Sequence, residues 1–187
     1  NFPTGYTLRD PIFAEGTDAG VRNVVFASGA GGFISQGVSI ELAANCGGDL
    51  LISGGTGAAT PLSNAGVIRA ASAATRVRII GPTFANSGVL QVDGGSLSIE
   101  SIGWTSSGQI LSGNGTLTTA GTWSSTGIID LQNSATTLGG TVSTIGLNLS
   151  QLSRSGGTVA VSAVWDNTLQ SIDLQSTLGP IVLVGGR

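Results

Sequence analysis

The sequence predicts an all-β chain: a parallel β-helix (β-solenoid) of about nine coils with a period near 20 residues. Three observations predict it. Glycine alone supplies 31 of 187 residues, and with serine and threonine it makes up about two-fifths of the chain. A short pattern of a large apolar residue, any residue, Asn or Ser, a small residue, then Gly and aliphatics recurs along the chain. Between its copies, short segments alternate apolar and polar residues, which puts one face of a strand inward. A 20-residue unit of two or three short strands cannot bury its own apolar face, but stacking on a copy does so.

The repeats run in order. Leu62-Ser63-Asn64-Ala65-Gly66 opens one copy, and Phe84-Ala85-Asn86-Ser87-Gly88 the next. Trp104-Thr105-Ser106-Ser107-Gly108 and Trp123-Ser124-Ser125-Thr126-Gly127 follow. The anchoring glycines Gly66, Gly88, Gly108 and Gly127 are spaced by 22, 20 and 19 residues. A backward step of 19 reaches Gly47 in Asn45-Cys46-Gly47; a forward step of 19 reaches Gly146.

Coil-on-coil stacking places equivalent side chains above one another. Phe84, Trp104 and Trp123 are then expected to form an aromatic column. Asn45, Asn64 and Asn86 are expected to form an amide ladder at a corner. The repeated glycine is expected there because it tolerates positive φ. Leu97-Ser98-Ile99, Leu117-Thr118, Val159-Ala160-Val161 and Ile172-Asp173-Leu174 read as strands. Serine and threonine are expected on their outward positions. No segment carries an uninterrupted helical period. Residues 1–20 lack the repeat and hold Pro3, Pro11, Arg9, Asp10, Glu15 and Asp18. They read as a cap, linker or docking segment, with the β-helix occupying 21–187.

Composition narrows the chemistry. A net charge of −3 without a clustered basic face argues against nucleic acid. No apolar run approaches the roughly 20 residues of a membrane span. Hydrophobic residues at 40% and charge at 9% do not suit a disordered chain. Histidine and lysine are absent, which removes the commonest general base and Schiff-base chemistry. No cofactor or metal is implied, since the Gly-Gly-x-Gly-x-Asp calcium pattern is missing. The start at Asn1, without Met or signal peptide, suggests a piece of a longer product.

Several residues still invite a chemical reading. Asp93, Asp130 and Asp173 are the candidate carboxylates of a β-helical glycosidase or lyase. Asp93 precedes Gly94-Gly95, as in a turn, and the other two read as outward strand positions. Arg76 and Arg78 share one strand face. They are either solvated or offered to an acidic polymer or a partner. Cys46 shares the small-residue place of Ala65, Ser87, Ser107 and Thr126. It reads as a buried small thiol or, being the one cysteine, as an intermolecular disulfide. Threonines are abundant but do not recur at one coil position, which weakens an ice-binding reading.

The stretch from Phe84 to Ile99, with Asp93-Gly94-Gly95, resembles repeats of secreted bacterial passenger regions and filamentous-haemagglutinin-like adhesins. Leu152-Ser153-Arg154-Ser155-Gly156-Gly157-Thr158-Val159 is similar to repeats of giant bacterial surface proteins. The resemblance covers roughly residues 45–175 and carries no catalytic residue. It implies a right-handed coil, an extracellular location and a role in adhesion or surface structure. The low charge adds an expectation of covered ends: a homo-oligomer, a filament, or continuation into a longer repeat chain. The alternative is a carbohydrate-active β-helix, a depolymerase or glycan-binding module. A glycan or other cell-surface ligand is the partner either reading allows.

Overall fold

The computed structural model describes residues 2–3, 5–15, 20–26, 31–43, 46, 48–54, 61–166 and 173–185. The chain is a parallel β-solenoid. Its strands form three sheets of eight, seven and eight strands, each running along the stacking axis. The first sheet runs from Thr7–Leu8 to Val164–Asp166, the second from Ile12–Ala14 to Leu152–Ser155, and the third from Arg22–Val25 to Val182–Leu183. Every strand pairing is parallel, and consecutive strands of one sheet come from consecutive coils. A typical coil contributes Thr83–Asn86, Val89–Val92 and Ser96–Ile99, one strand to each sheet.

There are about seven turns of about 22 residues, close to the nine expected. The difference comes from unequal coils. Thr7 pairs with Phe33 and Phe33 with Ser63, spans of 26 and 30 residues. Ser63, Ala85, Thr105 and Ser124 then follow at 22, 20 and 19. The last interval, Thr141 to Val164, is 23.

Columns of aliphatic side chains fill the interior. In the second sheet Ile40, Ile68, Leu90, Ile110, Ile129 and Leu152 stack rung on rung, all buried. Leu50, Val77, Leu97 and Leu117 do the same in the third. Burying each such side chain contributes about 1.5–3 kcal/mol. β-Branched and leucine residues at alternate positions suit this pleated wall, and Gly interruptions fall at the corners.

The end regions depart from the repeat. Residues 1–20, distinct in sequence, supply Thr7–Leu8 and Ile12–Ala14 as the first rungs of two sheets. Phe2 stacks on Tyr6 at 4.8 Å and meets Phe26 at 5.3 Å, closing that end with aromatic rings. At the other end Leu174–Leu178 is a short helix rather than part of a strand, and Asp173 stands at its start. Ile172 lies outside the described residues. Gly146 sits within the strand Thr141–Leu147, not at a corner. Ser125 pairs with Leu147 after a register shift, so the corner falls later, at Asn148 and the 3-10 turn Leu149–Gln151.

Candidate functional site

The column that opens each coil is continuous. Leu62, Phe84, Trp104, Trp123, Val142 and Trp165 are successive rung neighbours in the first sheet. The rings of Trp104 and Trp123 stack at 4.9 Å with 4° between their planes. Each indole N–H donates at 2.8 Å to a carbonyl 16 residues on, Trp104 to Ala120 and Trp123 to Gly139. Trp165 is placed alike, but its buried N–H has no acceptor among the described residues. Below Leu62 the column holds Gly32, where a Cβ would overlap the Phe26 ring.

The corner ladder lies two residues further along. Asn64 Nδ2 donates to Asn86 Oδ1 at 2.8 Å, and Asn86 Nδ2 to Ser106 Oγ at 3.1 Å. Ser125 is the next rung. All four are buried. Asn64 Oδ1 also accepts the Gly66 N–H at 3.1 Å, so the amide satisfies its own corner while linking coils. The ladder therefore runs Asn, Asn, Ser, Ser. Ile34, not Asn45, is the rung beneath Asn64, because that coil is 30 residues long. Asn45 and Gly47 themselves lie outside the described residues.

Gly66, Gly88, Gly108 and Gly127 occupy these corners for a reason other than the expected one. None of them has positive φ. A Cβ on each would instead overlap the carbonyl oxygen of the corner below: Val38, Gly66, Gly88 and Gly108 in turn. Those carbonyls accept the N–H groups of Val67, Val89, Gln109 and Ile128 at 2.8–3.1 Å. Close stacking of corners, not left-handed backbone, excludes a side chain there. The result is a groove of about 630 Å³ along the axis, floored by these glycines. Ser87, Ser107 and Thr126 form one wall; Val89, Gln109 and Ile128 form the other.

Charged side chains brace coils. Arg78 holds Glu100 through two hydrogen bonds, Nε to Oε1 at 2.9 Å and Nη2 to Oε2 at 2.6 Å. Arg69 bridges Asp93 at 2.6 Å and Glu41 at 3.3 Å, and Arg76 reaches Asp49 at 3.6 Å. Arg76 and Arg78 share one outward face, but their charge is met within the chain rather than offered whole to a partner. The hydrogen bonds from Arg78 hold the Glu100 carboxyl below the usual range, and Glu100 in turn raises the Arg78 guanidinium. Asp93 raises Arg69 in the same way.

The three candidate carboxylates do not converge on a reacting centre. Asp93 pairs with Arg69 and accepts from Gln91 at 2.9 Å. Asp130 accepts from Gln132 and Ser153, both at 2.7 Å. Asp173 accepts the Ser176 N–H at 3.0 Å as a helix cap. Cys46 is fully buried, so its thiol is not placed for an intermolecular bond. It precedes the strand Gly48–Ser53 rather than sharing the place of Ala65 and Ser87. Among the described residues no three of His, Cys, Asp and Glu group for a metal.

Two features escape a reading of the sequence. Ser101, Ser106, Ser112, Ser125, Ser134, Thr119 and Thr136 lie inside rather than on outward positions. Arg154 sits in the column of Leu131 and reaches the C-terminal segment. Outside, the first sheet carries a broad apolar groove of about 580 Å³ rimmed by Thr83, Thr105, Thr122, Ser124 and Asp166. No described helix is long and apolar enough to cross a membrane. Compared with known proteins, the chain matches no family model, no curated protein and no solved structure.

Proposed function

We propose that the chain is a non-enzymatic, extracellular structural protein. It is a stretch of a bacterial surface adhesin or a filament subunit that stacks through its coil ends. The observation that supports this most is the unbroken axial registry of the interior columns, with the arginines at 69, 76 and 78 engaged between coils. The candidate carboxylates are engaged in bracing coils or capping the terminal helix, and they do not converge. What the outer faces offer is hydroxyls, amides and small apolar groups, a surface for contact. The threonine-rimmed groove over the first sheet favours a second reading, a glycan-binding or glycan-cleaving β-helix.

One experiment separates the two. The protein is incubated with a panel of neutral and acidic polysaccharides, and reducing or unsaturated ends are assayed. No release is expected; steady release by purified protein would overturn the structural reading. Co-sedimentation with the same polymers, without cleavage, would move the assignment to a binding module.

A further inference from the structure

Among the described residues the second sheet ends one rung short of its neighbours, with seven strands against eight in the first and third. Its last strand is Leu152–Ser155, and the helix Leu174–Leu178 packs against that strand. Leu178 is buried, adding an apolar plug at the end of the core. A five-residue helix does not hold itself together in water, so tertiary contacts must keep it in place.

Arg154 supplies those contacts. It stands at the inward position of its strand, on the rung after Leu131. Its guanidinium donates to four carbonyls. Nε reaches Gly156 at 2.9 Å and Nη2 reaches Gly157 at 2.6 Å, both in the turn after its own strand. Nη1 reaches Leu178 at 2.7 Å and Pro180 at 2.6 Å, both in the terminal segment. The cation therefore lies at the carbonyl end of the helix, where positive charge is favoured. Asp173 caps the other end, and Gly179 at φ 65° followed by Pro180 stops the helix.

We propose that residues 173–180 form a detachable end cap, latched by Arg154, that keeps the second sheet's C-terminal edge from receiving a strand of a second copy. The second copy is the fitting occupant because its own first rung of this sheet, Ile12–Ala14, runs in the same direction and carries the same inward alternation. Such an addition continues a parallel sheet across the junction. It is head to tail and does not close, so it produces rods. Both terminal regions also expose apolar side chains, Phe13 and Val21 at one end, Val164 and Leu183 at the other. This inference deepens the filament arm of the proposed function.

The test compares wild type with Arg154→Ala, Arg154→Lys and Leu178→Asp, the last releasing the cap by a second route. Mass distribution is read by light scattering, particle shape by electron microscopy, and cap release by amide exchange at residues 176–178. Wild type is expected as single particles. Arg154→Ala and Leu178→Asp are expected to lose exchange protection at the cap and to raise the mass fraction in end-to-end rods at least tenfold, with Arg154→Lys between. Undiminished protection in Arg154→Ala would overturn the latch. So would single or amorphous particles after cap release. Equal rod formation by all four proteins would also remove the latch while leaving the filament reading intact. Glycan cleavage would sink the structural reading without touching the latch.

Discussion

The central coils, residues 61–138, and the first two coils, residues 7–54, build the same three sheets by different means. In the centre the corner between the first and second strands is two residues long, as in Ser87-Gly88 and Ser107-Gly108. In the coil before them it spans Ser35–Val38. Glycine appears in both, for opposite reasons. Gly37 has φ 81° and open space around it; Gly108 has ordinary backbone but no room above the Gly88 carbonyl. Short corners let coils nest closely, so side chains stack in columns. Long corners absorb insertions: the opening column and the corner ladder give way to Gly32 and Ile34, while Ile40 and Leu50 still stack beneath Ile68 and Val77.

The largest effect should come from the column itself. Trp123→Ala removes a stacked ring and a buried hydrogen bond to Gly139, and should destabilise by about 4 kcal/mol in denaturant titration. Phe33→Ala, an outward and partly exposed aromatic in the early coils, should cost about 0.5 kcal/mol. Similar costs at the two positions would break the contrast between regions.

Glycine gives the next contrast. Gly108→Ala forces the corner away from the Gly88 carbonyl and should cost about 3 kcal/mol, as overpacking does. Gly37→Ala meets no atom and carries only the left-handed backbone penalty, about 1 kcal/mol. If the two were equal, corner stacking would not be the reason for the central glycines. Asn86→Leu should fall between them, at about 2 kcal/mol. It takes from the Asn64 amide its shortest acceptor, leaving the Gly66 and Val89 carbonyls at 3.3 and 3.4 Å, and leaves Ser106 without its Asn86 donor. Asn86→Ser, which keeps a hydroxyl as at Ser106, should recover part of that loss.

The same contrast explains what was legible beforehand. The large apolar residue four places before each glycine is visible wherever coil length stays near 20, because constant length keeps equivalent residues at constant spacing. The rule fails where a corner grows. Stepping back by 19 from Gly66 arrives at Gly47, while the corner beneath Gly66 holds the Val38 carbonyl. The inward serines are hidden for another reason: in a serine-rich strand both faces carry hydroxyls, so alternation alone does not say which face is buried. Arg154 reads as an outward charge until its register with Leu131 is known. The stop signal Gly179-Pro180 was present in the sequence, but a helix of five residues leaves too short a period to detect.

The smallest effect concerns the charges that brace one coil against the next. Glu100 is held below the ordinary carboxyl range by Arg78, with Ser98 and Arg76 adding to the effect against the cost of burial. A carboxyl whose folded value is depressed lends stability above its unfolded value, about pH 4.3, and loses it as pH falls through the folded value. Both partners are partly exposed, so solvent screens the pair and it should contribute about 0.5–1 kcal/mol at neutral pH. Glu100→Gln should lower stability by that amount at pH 7, and the difference should vanish as pH falls through the depressed folded value, where wild type loses the charge too. Asp49→Asn, which removes the looser 3.6 Å contact to Arg76, should cost less at pH 7. A difference for Glu100→Gln that persisted in acid would mean that shape rather than charge joins these coils. The bidentate geometry argues for charge, because both carboxylate oxygens are already engaged by one planar guanidinium.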